Sequence, residues 1–342
     1  MHGGDIYDFA INNNTTISGI LDFSANMNDF IRVKNLTLKR EYIENYPENN
    51  LSKYKKILAC DEFNSDNIAI VPGLTPFIHS FMGSIKGNVI IVSPVFTEYM
   101  KSKTNGKKIL IPFNILNRNP EILKNYDFET LFLVYPDSPT GQIMNSNSLL
   151  SILEISMKKN STVFIDESFI WFVNNRKINE RDLIEKYHNI IIGRSMTKVL
   201  SIPGLRLAYI VSNPDRISII ENNLEPWRIN EAALLYISSH VEDLSHIAKK
   251  TEVERKYLIK SLANKGFRVI GNPQANYITF KLPRNIDGYR LKAYLAGRNI
   301  MVRILDDYNE FGSNYIRVNV KRRIKNRILI NALYYYTGGT HD

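Results

Sequence analysis

Seven short apolar runs, each cut off by a small or polar residue or a proline, limit what this chain can become. They are I-A-I-V at 68–71, V-I-I-V at 89–92, K-K-I-L-I-P at 107–112, L-F-L-V at 131–134, T-V-F-I-D at 162–166, I-I-I-G at 190–193 and L-A-Y-I-V at 207–211. Unbroken aliphatic stretches of this kind leave no polar face, so the strands they form must be covered on both sides. Spacers of helical length predict a mostly parallel sheet flanked by helices, the α/β class. Ligands of such open sheets bind just beyond the strand ends. Gly73, Asp137, Asp166 and Lys198 all fall there.

After Pro226 the pattern changes. Helical segments are expected over roughly 229–265, strands at 267–270 and 277–281, a helix at 287–298, strands at 300–304 and 314–320, and a final helix. This is an α+β lobe. The expected division is an N-terminal segment, 1–40, packing with the small domain; a large α/β domain, 41–225; and a small α+β domain, 226–342. Within the first segment, L-D-F-S-A-N at 21–26 reads as a short strand entering a loop.

Composition narrows the function classes. The chain has 342 residues, 44% hydrophobic and 23% charged, ordinary values for a soluble globular protein. Cys60 is the sole cysteine, which excludes an intrachain disulfide and suggests a reducing compartment. The start M-H-G-G-D-I-Y-D lacks the basic and apolar regions of a signal peptide, and no apolar run approaches a membrane span. A cytoplasmic location with no membrane partner is expected. The net charge is +10, yet the one dense basic run, Lys321, Arg322, Arg323, Lys325 and Arg327, reads as the solvated face of the last helix, with Ile324, Ile328 and Leu329 as its apolar side. Anionic small molecules suit that charge better than nucleic acid. No metal site is expected.

The chemistry concentrates in Ile191–Tyr209, I-I-G-R-S-M-T-K-V-L-S-I-P-G-L-R-L-A-Y. Lys198 stands among short side chains, with Ser195 and Thr197 before it and Gly204 and Arg206 after. An amine there can form a Schiff base with an aldehyde, while the hydroxyls and the guanidinium donate to a phosphate. Gly73-Leu74-Thr75 follows a strand and opens a helix, a place where backbone N–H groups collect an anion. Asp166, at the end of a buried strand, needs a charged or N–H partner. Phe96 or Tyr99 could stack on a planar ring, although on these residues alone core packing is the preferred explanation.

Taken in order, V-P-G-L-T, S-P-V-F-T-E-Y, Y-P-D-S-P-T-G, F-I-D-E-S-F and S-M-T-K-V-L-S-I-P-G-L-R-L-A-Y resemble the fold-type-I pyridoxal-phosphate enzymes. The resemblance is to the branch that holds histidinol-phosphate aminotransferase and the threonine-phosphate decarboxylase of cobalamin biosynthesis. It implies an aspartate-aminotransferase-like fold and pyridoxal 5'-phosphate as cofactor. Lys198 would carry the cofactor as a Schiff base, and Asp166 would keep its pyridine nitrogen protonated. Phe96 would stack on the ring. The turn Gly73, Leu74, Thr75, together with Ser195, Thr197 and Arg206, would hold the phosphate. Tyr46, in N-Y-P-E, matches a tyrosine that reaches the phosphate of the other subunit, so a homodimer with shared sites is implied. Arg317, in Y-I-R-V-N-V, matches the arginine that receives the substrate's acidic group, and Arg303 would assist it. Two positions depart from the pattern. Ser138 stands where the family usually has Asn, and Phe169 where many members have Tyr; both family residues donate to the ring's phenolic oxygen, which a phenylalanine cannot do.

The opening bears on the reaction. His2-Gly3-Gly4-Asp5-Ile6, then L-D-F-S-A-N with Asn26, resembles the start of the threonine-phosphate decarboxylases. The resemblance therefore implies decarboxylation of O-phosphoserine or O-phosphothreonine, giving ethanolamine phosphate or aminopropanol phosphate. The first product could feed a surface polysaccharide or cobamide, the second a cobalamin nucleotide loop. The alternative is an aminotransferase acting on a phosphorylated substrate such as histidinol phosphate. Arg303 and Arg317 suit one anion of the substrate, and His2 with the Gly3 and Gly4 amides is a candidate set for the other.

Overall fold

The computed structural model describes residues 3–60, 62–176, 178–240 and 244–338. A short strand β1 (Leu21–Asp22) precedes the main sheet. That sheet contains β2 (Ile68–Val71), β3 (Val89–Ser93), β4 (Lys108–Pro112), β5 (Thr130–Val134), β6 (Thr162–Asp166), β7 (Ile190–Ser195) and β8 (Ala208–Val211), in the order β2-β8-β7-β6-β5-β3-β4. All neighbours are parallel except β8, which runs antiparallel to both β2 and β7. All seven expected strands form, with ends shifted by at most two residues.

Alternation along each strand divides the core between the two faces. Ile90 and Val92 join one apolar cluster and Val89 and Ile91 the other, so the inner strands are covered on both faces, while the edge strand β4 leaves Leu110 exposed. Helices Leu74–Ser84, Ser146–Lys158 and Pro214–Asn222 are among those that cover the sheet. No helix among the described residues is long and apolar enough to cross a membrane.

A second, antiparallel sheet has the order β12-β13-β10-β9, from β9 (Arg268–Val269), β10 (Tyr277–Lys281), β12 (Arg303–Ile304) and β13 (Tyr315–Asn319). It packs with helices Ser245–Asn264, Gly288–Ala296 and Arg323–Tyr336 around its own apolar cluster. The strand expected over 300–304 is divided. β11 (Ile300–Met301) pairs in parallel with β1, whereas β12 pairs with β13, so the chain changes partners at Val302. The basic run also differs from expectation. Lys321 is only 9% exposed and lies 3.8 Å from Asp29, and Ile324 is exposed; Leu329, Ile330 and Leu333 form the buried side of the last helix. The helix begins at Arg323, two residues after Lys321, and of the three expected apolar residues only Leu329 faces the core; Ile324 and Ile328 both lie on the solvent side.

The segment 21–28 is bonded to both parts. Phe23 N–H donates to the Met301 carbonyl and Asn319 N–H donates to the Phe23 carbonyl, each at 2.8 Å. On the other side, Asn28 N–H donates to the Lys198 carbonyl at 3.0 Å, and the Asn28 amide to the Val199 carbonyl at 2.7 Å.

Candidate active site

A cavity of about 440 Å³ is enclosed by strand ends of the main sheet, by Arg303, Tyr308 and Arg317 of the other lobe, and by residues near the N-terminus. Lys198 enters it from a single helical turn, Met196–Val199, directly after β7. Burial lowers its amine to about 8; repulsion from Arg317 and Arg206 acts in the same direction and Asp166 opposes it. The lysine keeps some accessible surface, and that surface faces the cavity. An amine near 8 has a useful neutral fraction at neutral pH, which nucleophilic addition to an aldehyde requires.

Asp166 is the last residue of β6 and is 4% exposed. The Tyr99 hydroxyl donates to its Oδ2 at 2.8 Å and the Ser168 N–H to its Oδ1 at 2.9 Å. Its carboxyl is nevertheless pushed up, because burial outweighs these bonds and the attraction of Lys198. Among the described residues no cation forms an ion pair with it, and a protonated heterocyclic nitrogen would supply one. The two aromatic candidates separate. Tyr99 is fully buried and serves Asp166, whereas Phe96 lines the cavity.

Potential anion donors lie on one side of Asp166. Ser195 and Thr197 are buried, with their hydroxyls 2.8 Å apart. Arg206, at φ 52°, donates from Nη1 to the Pro203 carbonyl at 3.1 Å. Gly73 sits at φ 94°, and a Cβ there would come 2.6 Å from Arg206 Nη2, so only glycine permits this approach. The Gly73 N–H is not available to a ligand, because it donates to the Val71 carbonyl at 2.7 Å. Gly73 shapes the turn, and it is Leu74 and Thr75 that line the cavity. Helix Leu74–Ser84 begins there without a capping side chain, leaving its first N–H groups for a ligand.

The opposite wall carries two arginines directly across from each other, Arg303 on β12 and Arg317 on β13. They are not equivalent. Arg303 is ion-paired with Asp307. Arg317 is 9% exposed, donates from Nη2 to the Ser24 carbonyl at 3.3 Å, and has a buried Nε without a partner. An unsatisfied guanidinium N–H beside a cavity is a site for a carboxylate or phosphate.

Near the N-terminus, Gly3 lines the cavity so closely that a Cβ would lie 2.3 Å from the Ser24 carbonyl oxygen. The Gly4 amide, expected to serve an anion, already donates to Ser24 Oγ at 2.8 Å. Asn26 is 4% exposed, lines the cavity, and has an unpartnered Oδ1. His2 lies outside the described residues. Tyr46 is not brought to the cavity within one chain; it is 78% exposed and stacks on Trp227 with ring centroids 4.6 Å apart.

Ser138 and Phe169 both line the cavity. Phe169 packs edge-on against Tyr277, 4.9 Å between centroids. Sequence reasoning missed Tyr308, Asp307 and the role of Tyr99. No periodicity marks a tyrosine hydroxyl as a carboxylate partner 67 positions away. It also missed the support beneath the site. Glu167 and Arg194 flank Asp166 and Ser195 in sequence, and they pair at 2.8 Å in the buried interior. Arg194 also bonds Glu62 at 2.5 Å, and burial pushes the Glu167 carboxyl up to about 7.

These features fit one kind of cofactor. A buried carboxylate short of a cation, a neutralisable lysine and a phosphate cradle that demands glycine match a protonated heterocycle bearing an aldehyde and a phosphate. Comparison with known proteins agrees. A Caldanaerobacter subterraneus subsp. tengcongensis protein, provisionally named threonine-phosphate decarboxylase, is 29% identical over 350 residues, covering 97% of this chain and 92% of that one. Threonine-phosphate decarboxylase of Salmonella typhimurium is 27% identical over 353 residues, covering 97% and 95%. The histidinol-phosphate aminotransferase of Sinorhizobium meliloti, solved with pyridoxal-5'-phosphate, superposes with a TM-score of 0.78 at 14% identity, covering 98% and 95%. Residues 11–333 match the family of class I and II aminotransferases. The chain belongs to that family, and it is a pyridoxal 5'-phosphate-dependent enzyme of fold type I.

Proposed function

We propose that the enzyme removes carbon dioxide from an O-phospho-L-amino acid, O-phosphothreonine or O-phosphoserine, and releases aminopropanol phosphate or ethanolamine phosphate. The observation that carries this reading is the N-terminal wall. Gly3, Ser24 and Asn26 line the same cavity as Lys198, and the threonine-phosphate decarboxylase relatives align across 97% of the chain, a span long enough to take in Ser24 and Asn26.

Pyridoxal phosphate, when bound, supplies an electron sink for the bond that breaks at Cα. The chain's residues select which bond that is. Arg317 would hold one anionic group of the substrate through its unpartnered Nε. Donors of the N-terminal wall would hold the other, fixing rotation about the Cα–N bond. Lys198, near 8, would return a proton to Cα after the carboxylate leaves. Asp166 would hold the proton on the ring nitrogen. Ser195, Thr197, Arg206 and the Leu74–Thr75 turn would bind the cofactor phosphate, and Phe96 would pack against the ring. A homodimer in which Tyr46 of each subunit serves the neighbouring site belongs to the same proposal.

A second reading is amino-group transfer from histidinol phosphate. It is supported by relatives of that name, such as histidinol-phosphate aminotransferase of Methanosphaera stadtmanae, 28% identical over 257 residues. Incubation with each phosphoamino acid, assayed for carbon dioxide and the amine phosphate, separates the two. Release of carbon dioxide from either supports decarboxylation. Formation of glutamate from 2-oxoglutarate with histidinol phosphate, and no carbon dioxide, replaces it with transfer.

A further inference from the structure

Strands β6 and β7 carry parts of the site on one face of the sheet and a buried ion pair on the other. Alternation places Asp166 on the face of Phe164, and Ser195 on that of Ile191. Glu167 and Arg194 therefore project to the opposite face, where Ile165 and Ile192 join the other apolar cluster. The two strands separate immediately afterwards. Glu167 N–H donates to the Gly193 carbonyl at 2.8 Å. Beyond it one chain turns into the short helix Ile170–Phe172, and the other into Met196–Val199, which carries Lys198. At that fork Arg194 Nε donates to Glu167 Oε2 at 2.8 Å.

Arg194 is a fixed anchor. It is fully buried, its Nη1 donates to Glu62 at 2.5 Å, and Glu180 lies 3.7 Å from its Nη2. Its guanidinium carbon lies 5.1 Å from the ring centre of Phe63 and 5.5 Å from that of Trp171. A planar group with carboxylates at its edges and aromatic rings packed against it has little freedom to move. Burying such an ion pair often adds no more stability than apolar side chains of the same volume. Stability is thus a weak explanation for the pair, and its place between Asp166 and Ser195 offers a better one.

We propose that Glu167 is a positioning residue: anchored on Arg194, it fixes the end of β6 against β7, and so holds the Asp166 carboxylate where the ring nitrogen of a cofactor carried by Lys198 can meet it. This role rests on the reading of Asp166 as the partner of that nitrogen. The donors to Asp166, the Tyr99 hydroxyl and the Ser168 N–H, orient its carboxylate, but neither belongs to β7. The height of Asp166 relative to the lysine is left to the strand pairing and to the Glu167–Arg194 bond at its end. Glu167 acts alike in either reaction above.

The test compares two equilibrium affinities of the cofactor-free protein, one for pyridoxal phosphate and one for the analogue with C–H in place of the ring nitrogen. Both ligands carry the aldehyde and the phosphate, so their ratio isolates the contact with Asp166, and a general loss of packing weakens both alike. Asp166→Asn should lower the ratio about tenfold, the worth of one hydrogen bond to a charged group. Glu167→Ala and Glu167→Asp should each lower it about fivefold; the aspartate keeps the charge but is one methylene too short to reach Arg194 from the same backbone position. Glu167→Gln keeps the length and an oxygen acceptor, and should stay within about twofold of the parent. Where the alanine variant fails to fold, the aspartate variant decides. A Glu167→Asp ratio equal to the parent's, with the Asp166→Asn ratio lowered, overturns the role of Glu167 and leaves Asp166 at the nitrogen. A glutamine variant that falls as far as the aspartate one traces the effect to charge and overturns positioning. An Asp166→Asn ratio equal to the parent's overturns the reading of Asp166 and the role of Glu167 together.

Discussion

Replacing Lys198 by methionine should stabilise the cofactor-free protein at neutral pH. Methionine keeps much of the length of the side chain and removes its charge. In the folded chain the amine sits at about 8, against 10.5 for an ordinary lysine. Below pH 8 it is protonated in both folded and unfolded chains, so the full cost of burying a cation near Arg317 and Arg206 is present. Between 8 and 10.5 the unfolded chain binds the proton more often, and stability therefore rises with pH. Above that range both forms are neutral and the cost is gone. At ~1.4 kcal/mol per pH unit the gap corresponds to about 3 kcal/mol. Because the amine faces a cavity that water can enter, we expect about 2–3 kcal/mol. Urea unfolding of the cofactor-free parent and variant at pH 7, 8, 9 and 10 measures it. The variant should lead at pH 7, and its advantage should shrink steadily toward pH 10. Equal stability at pH 7 would refute the argument. A pH-independent advantage would also refute it, because that would trace the effect to packing.

Gly73→Ala should lower cofactor affinity at least about tenfold, because its Cβ would displace the Arg206 guanidinium and φ 94° strains any L-residue; an unchanged absorbance titration with pyridoxal phosphate would contradict this. Asp166→Asn should keep the fold by circular dichroism and lose turnover on the order of 100-fold, since the amide cannot supply the charge that the ring nitrogen needs; near-normal turnover would make Asp166 purely structural. Tyr46→Phe should weaken cofactor binding in a protein that light scattering finds to be a dimer; a monomer with full affinity would remove Tyr46 from the site.

The main sheet was legible because its inner strands are buried on both faces. Runs such as Ile190–Ile192 and Leu131–Val134 contain only residues that cannot face water, so composition alone marks them. The second lobe was legible in type but not in pairing. Ile300–Ile304 reads as one strand, and only the approach of Leu21–Asp22, nearly 280 positions earlier, divides it. In the site, Lys198, Asp166, Ser195, Arg206 and Arg317 could be located because their chemistry is written in local motifs. Tyr308 and Asp307 could not, since their importance comes from which lobe they face. The Gly4 amide was misjudged for a similar reason: its partner, Ser24 Oγ, lies twenty residues on.

The bonding of residues 21–28 has a consequence for how the enzyme is made. This segment leaves the ribosome 250 or more residues ahead of most of its partners. Phe23 needs Met301 and Asn319, the Asn26 carbonyl needs the Asn276 amide, and Met27 needs the Asn319 amide. The main sheet can form once residue 211 has emerged, with Lys198 and Asp166 already at their strand ends. Until β13 follows, the early segment has no second sheet to join, and the lysine stands at an open ledge. A nascent chain of this protein would thus acquire its lysine and carboxylate well before it could shelter them. Secure capture of the cofactor is therefore expected only after Asn319 has emerged.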